Sequence, residues 1–362
     1  MTLRILPLLA FSCSLAAQGA EIYSNGPITT HPTGGFGTNP VSILQMLAPP
    51  AGLDNDEYGY GAQVGANSLA DDFAVNGTWT ISAIELFGYA TFVPAPSCTD
   101  VRIAIYDNPP NQGGVPIAGS PVFTNNLFTT AGYTVTNTMT TIRRAAQVSP
   151  LDNDRIVQSV KITLPAPLVL TSGVYWLRFQ YGGINFCPPV TTPWQNYTGY
   201  ALQFQGVVPP GQWVQVVDNP APQQGKGLPF KLHGTSTSTP GAITNLGGGC
   251  DTATFTVGGQ PSMGGYVRAE LGNLNPQHIP VIIVGLSDPN TPLGVCSCTS
   301  HASLDFLNVA TAFSFVAPMA VNLVGFQFFL QGGQVDLVPV GGAPCNLGLQ
   351  FGFTDGYSWR AY

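Results

Sequence analysis

Apolar and other side chains alternate residue by residue along several stretches of this chain, and a period of two commits those stretches to β-strands. Val101, Ile103 and Ile105 share one strand face, with Arg102 on the other. Val160, Ile162 and Leu164 alternate with Ser159, Lys161 and Thr163, and Val324, Phe326, Phe328 and Leu330 alternate around Gln327. Tyr175, Leu177, Phe179 and Tyr181 form an aromatic face, which leaves Arg178 and Gln180 expected toward solvent. No long window carries helical periodicity. A strand with one apolar face has to bury it against another sheet, so the expected fold is all-β, built of sandwiches.

Composition agrees with many short strands and tight turns. The chain holds 43 Gly and 32 Pro, yet 44% of its residues are hydrophobic, far above disordered sequences. Only 8% are charged, so solubility rests on Thr, Asn, Gln and Ser. Eleven basic against 18 acidic residues give a formal charge of −7, and Arg143 and Arg144 form the only adjacent basic pair. Such a surface repels phosphate backbones and argues against a nucleic-acid partner.

The polar stretch from Gly234 to Gly241, followed by Gly247, Gly248 and Gly249, reads as a linker over residues 235–249. It separates a first sandwich, 21–234, expected to be jelly-roll-like, from a smaller immunoglobulin-like sandwich, 250–362. Residues 1–20 read as a signal peptide: Arg4, an apolar run from Ile5 to Leu15, then Ala16, Ala17, Gly19 and Ala20. No other segment has the length and apolarity of a membrane-spanning helix, and no transmembrane anchor is expected. The expected location is secreted, or associated with the cell surface.

Removing Cys13 with the leader leaves Cys98, Cys187, Cys250, Cys296, Cys298 and Cys345, an even set that suggests disulfides in an exported chain. Cys98 with Cys187 is the expected pair of the first half. Cys296 and Cys298 are too close to bond each other readily, so each is expected to reach Cys250 or Cys345. The string Cys296, Cys298, His301 also has the donor types of a soft-metal site, but oxidising export favours structural disulfides.

Several landmarks carry a family resemblance. Leu69 to Phe73 with Trp79 and Ile81, then Ile105 to Pro110, Gly173 to Leu177, and Gly227 to Gly234, resemble in that order a family of secreted bacterial β-sandwich domains. The region ending near Pro318 to Gln327 resembles small carboxy-terminal sandwiches of exported bacterial proteins. The resemblance implies fold and export and assigns no catalytic residue.

The search for chemistry returns little. The chain has no Gly-x-Ser-x-Gly elbow, no His-Glu-x-x-His helix and no phosphate-binding glycine loop, and its four histidines sit in no catalytic frame. Asp54, Asp56 and Glu57, with Asp71 and Asp72, are candidate ligands for a structural calcium ion, which takes several hard oxygens. Solvated turn residues are the ordinary explanation for such clusters. Asp54, Asp56, Glu57, Asp152 and Asp154 could also supply the carboxylate pair of a secreted carbohydrate-active hydrolase, the alternative reading. Trp194, Tyr197 and Tyr200 beside polar amides, with Trp213 nearby, are candidates for stacking on sugar rings. Trp79 and Trp176 are expected in the core or on a half-buried face. The favoured expectation is a non-enzymatic structural or binding protein with an extracellular glycan or surface matrix as partner.

Overall fold

The computed structural model describes residues 19–44, 55–190, 201–206, 211–218, 225–237, 242–250, 252–259, 266–292, 298–316, 327–336 and 350–360. Among them the regular elements are strands and two short 3-10 turns, with no α-helix. The first eleven strands are β1 (Ala20–Ser24), β2 (Val41–Leu44), β3 (Tyr60–Gly61), β4 (Asn67–Gly88), β5 (Asp100–Tyr106), β6 (Thr134–Ala146), β7 (Ile156–Gly182), β8 (Phe186–Cys187), β9 (Leu202–Gln205), β10 (Gln212–Gln215) and β11 (Phe230–Ser236). The remaining ten are β12 (Ala242–Gly247), β13 (Thr254–Gly259), β14 (Tyr266–Gly272), β15 (Ile279–Gly285), β16 (Thr291–Pro292), β17 (Thr299–Ser300), β18 (Phe306–Asn308), β19 (Ala312–Val316), β20 (Gln327–Asp336) and β21 (Gln350–Arg360).

Two long strands organise the first half. β4 and β7 pair antiparallel along nearly their whole length, with register shifts between Val75 and Thr78 and between Ile81 and Ala83. On one side of those shifts the pair is flanked by β9 and β5, on the other by β11 and β6. Side chains from both ends share one core: Leu69, Phe73, Val101, Ile103 and Ile105 meet Trp79, Ile84, Val160, Ile162 and Phe230. The sheet therefore closes over itself as a sandwich. Tyr23 packs within about 6 Å of Phe73, Trp79 and Phe230, so four rings fill its centre. The alternation expected for Val101–Ile105 and Val160–Leu164 is the one that is buried.

Arg178 and Gln180 depart from expectation. Gln180 is buried and Arg178 half-buried, because Gln180 Nε2 donates to the Asn67 carbonyl at 2.8 Å and the Arg178 side chain lies under the Phe123 ring.

In the second half a five-stranded sheet, ordered β12-β21-β20-β15-β18, faces the three-stranded sheet β13-β14-β19. Phe255, Val267, Ala269 and Leu271 from the smaller sheet meet Ile282, Val284, Phe328, Leu330 and Trp359 from the larger. Phe328 stacks on Trp359 at 4.8 Å. Val324 and Phe326 lie outside the described residues. Among the described residues strand pairing does not cross between β1–β11 and β12–β21, but Ala74 and Val174 of the first half pack into the second core.

The expected linker is narrower than its composition suggested. Thr235 and Ser236 still pair with Thr80 and Trp79, and residues 242–247 pair with β21, because small polar residues satisfy an edge ladder as well as a loop does. Residues 238–241, like residues 1–18 of the expected signal peptide, are outside the described set.

The cysteines divide. Cys250 and Cys298 are bonded, with Cα atoms 5.1 Å apart and 48 residues between them in sequence. Cys98 and Cys187 are not bonded, contrary to expectation: both are buried free thiols. Cys98 Sγ points at the Asp100 carbonyl (3.3 Å) and Cys187 Sγ at the Pro188 carbonyl (3.4 Å), so each is seated in its own contact. An even count alone does not aim two Cβ vectors at each other. Burial pushes the Cys98 thiol up to about 12 and raises Cys187 as well, which keeps both protonated. Cys296 and Cys345 are outside the described residues.

Candidate site: an aromatic pocket on the outer face of the first sandwich

Period two puts Asp72 on the opposite face of β4 from its core neighbours Asp71 and Phe73. Asp72 lies directly across the ladder from Trp176 of β7, and Trp176 lies across from Tyr106 of β5. Farther along the face, Ala70 pairs with Arg178 and with Leu202, and Leu202 with Gln215 of β10. Five strands, β10-β9-β4-β7-β5, thus carry one continuous surface. Asp72, Trp176, Leu202, Trp213 and Gln215, with Pro109, Asn111 and Gln112 from the turn after β5, line a concavity of about 500 Å³ there. That volume falls within the ~300–1,000 Å³ range of small-molecule sites.

Each wall has a local cause. The turn after β5 is a 3-10 turn, Pro110–Gln112, closed by Gly113 at φ 82°. Asp107 Oδ1 accepts from the Val115 N–H at 2.9 Å, and a Cβ on Gly114 would run into the Asn108 carbonyl, so the turn needs glycine there. On the other side the β9–β10 pair sets Trp213 beside Phe204, 5.4 Å between ring centres. The Arg178 guanidinium sits 3.9 Å from the Phe123 ring centre and 5.2 Å from that of Trp213, while its Nε donates to Ser68 Oγ at 3.0 Å. A cation shared among aromatic faces is worth about 0.5–2 kcal/mol and pins Trp213 against the sheet.

The carboxyl in the pocket is not an ordinary surface group. Burial raises Asp72 above the usual carboxylate value, opposed by its hydrogen bonding to Asp71. Asp71 is fully buried and raised further, by burial and then by the charge of Asp72. It accepts from Asn25 Nδ2 and the Leu228 N–H, both at 2.7 Å, and from the Asp72 N–H at 3.0 Å. Asp71 thereby fixes the backbone that presents Asp72.

Of the residues expected to bind sugar, Trp213 lies in this pocket, and Trp194, Tyr197 and Tyr200 fall outside the described residues. Of the expected calcium ligands, Asp72 lines the pocket, Asp71 faces the core, and Asp54 is outside the described set. Glu57 lies in a separate loop, where its Oε1 accepts from the Gly59 N–H at 2.8 Å and burial raises its carboxyl. Asp56 belongs to that same loop. No group of three or more His, Cys, Asp or Glu converges among the described residues. Asp152, a candidate for the hydrolytic pair, accepts from Tyr58 Oη at 2.8 Å and Arg155 at 3.0 Å. Trp176 is buried, 7% exposed, as expected, and it also lines the pocket, which the sequence reading did not assign to it. Its signal was present, since it shares a face with Arg178 and Gln180 rather than with Tyr175 and Leu177.

No family model and no curated protein matches the chain.

Proposed function

We propose that the chain is an exported binding module whose outer-face pocket holds a neutral carbohydrate. The observation that carries this reading is the meeting of Trp176 and Trp213 with Asp72 in one concavity. Indole rings stack on the apolar faces of pyranose rings, and Asp72, Asn111, Gln112 and Gln215 present acceptors and donors to the hydroxyls. Asp72 is the one carboxylate among the described lining residues. Glycosidic hydrolysis in its common form takes two, which favours binding over cleavage.

Affinity electrophoresis in gels cast with cellulose derivative, xylan, mannan or chitin derivative tests the reading. At least one polymer is expected to retard the wild-type protein and not Trp213→Ala or Trp176→Ala, with circular dichroism confirming intact sheet in each variant. Because hydroxyl donors favour the charged carboxylate, retardation should fade as the pH falls through the raised pKa of Asp72, above the ordinary value of ~4. Asp72→Asn should remove that pH dependence. Mobility unchanged in every gel would end the proposal.

A further inference from the structure

A second cluster, remote in role from the pocket, brings together a primary amine, a carboxyl and a carboxamide out of contact with water. Asn55, Asp218 and Lys226 are 1%, 6% and 0% exposed. Lys226 Nζ stands 3.1 Å from Asp218 Oδ2, off the hydrogen-bonding direction, and Asn55 Nδ2 donates to the same oxygen at 3.5 Å. The Glu57 N–H donates to Asn55 Oδ1 at 3.0 Å, which polarises the amide carbonyl and settles which end of the carboxamide faces Asp218.

The scaffold holds these groups in place. Asn55 exchanges hydrogen bonds with Gln147, its N–H to Oε1 and its carbonyl from the Gln147 N–H, both at 3.0 Å. The Lys226 N–H donates to the Val216 carbonyl at 2.9 Å and its carbonyl accepts from Ala201 at 3.2 Å. Tyr60 Oη donates to the Val217 carbonyl at 2.9 Å beside Asp218.

A buried Lys–Asp pair alone is an expensive structural clasp, since two charges lose their water. Burial lowers the Lys226 pKa, with Asp218 opposing, which brings the neutral amine within easier reach, and the Asp218 carboxylate 3.1 Å away is placed to take the ammonium proton. A desolvated neutral lysine is a nucleophile, and an amide carbonyl lies within the same cluster.

We propose that Lys226 and Asn55 are joined by an intramolecular amide bond, with Asp218 carrying the proton. Nζ attacks Asn55 Cγ, the new N–C bond forms, and the carbonyl electron pair moves onto Oδ1, where the Glu57 N–H receives it. The Asp218 carboxyl gives its proton to Nδ2 and takes one from Nζ. The Cγ–Nδ2 bond breaks, the carbonyl re-forms and ammonia leaves. One amine and one primary amide become one secondary amide and ammonia, with no change of oxidation state and no outside reactant. The product ties the loop before β3 to the segment entering β11 and, with the charges gone, removes the cost of burying them.

Intact-mass measurement of the reduced full-length chain, with its amino terminus read independently, is the test. The expected result is a deficit of one ammonia, with peptide mapping yielding a branched peptide that contains Asn55 and Lys226. Lys226→Arg and Asp218→Asn should each restore the full sequence mass. The wild-type measurement decides the matter even if a variant fails to fold. Full mass with Lys226 open to an amine reagent after unfolding overturns the proposal, and so does a deficit of one water with Lys226 attached to Asp218.

Discussion

Between β1 and β11, loops are fastened by charged groups withdrawn from water. Arg144 is wholly buried and donates to the Tyr58 carbonyl at 2.6 Å, the Glu57 carbonyl at 2.7 Å and Ser42 Oγ at 3.0 Å. Asp71 accepts from Asn25 and Leu228. Between β12 and β21 the described buried fastenings are the Cys250–Cys298 bond and neutral groups, while the carboxylates that close loops there, Asp288, Asp305 and Asp355, are exposed or half-exposed. Gln331 Nε2 donates to the Thr299 and Thr354 carbonyls at 2.8 and 3.0 Å, and its Oε1 accepts from the His301 N–H at 2.9 Å. The same layered packing is thus secured in two ways. A buried charge acts in the folded state and depends on every partner, whereas a disulfide acts chiefly by restricting the unfolded chain.

The largest effect should come from the charged side of that contrast. Arg144→Met leaves two half-buried carbonyls and a buried hydroxyl without their donor and should cost about 3–5 kcal/mol in urea denaturation. A cost below about 1 kcal/mol would show that the buried cation is dispensable, and the contrast would fail.

Replacing Cys250 and Cys298 together by Ser should cost about 2–4 kcal/mol, and mild reduction of the wild type should reproduce the loss. If reduction destabilises β1–β11 equally, as followed by hydrogen exchange, the contact of Ala74 and Val174 with the second core couples the two halves strongly.

Glu85 gives a smaller effect with a defined pH window. The His233 hydrogen bond, then that from Ser159, holds Glu85 at about 2, below the usual carboxylate value, so the unfolded chain takes up this proton more readily than the folded one. Its stabilisation is complete above ~4 and is lost as pH falls through about 2. Allowing for screening of a half-exposed group, Glu85→Gln should cost about 1–2 kcal/mol at neutral pH and nothing in strong acid. A pH-independent difference would refute the linkage.

Trp213→Ala should be the mildest for the fold. Its stability is expected within about 1 kcal/mol of wild type after loss of one half-buried ring and its Arg178 contact at an edge strand, yet carbohydrate retardation should weaken about tenfold or more. Loss of both together would make Trp213 a structural residue instead.

The strands of the core were legible because alternation is local. Val101, Ile103 and Ile105 announce a buried face within six residues, and the structure buries all three. The site was legible only in fragments. Asp72 and Trp213 stand out separately, one as a candidate calcium ligand at a strand entrance and one as a loop aromatic, while Trp176 reads as a core or half-buried ring. Their meeting depends on the register of β4 against β7 and of β10 through β9 to β4, pairings between residues far apart in sequence. Asn55, Asp218 and Lys226 carried no pattern at all, since a lone lysine and a lone asparagine look like solvated loop residues until burial is known.

What the chain's own order of residues determined was the β-class and the two faces of each strand, because side chains on an extended backbone must point alternately to opposite sides. Tertiary structure alone decided which outer face became concave, which cysteines met and which charges were sealed away. Those outcomes rest on contacts between distant segments, whose geometry is set by strand register and packing of the whole sandwich rather than by any neighbour in sequence.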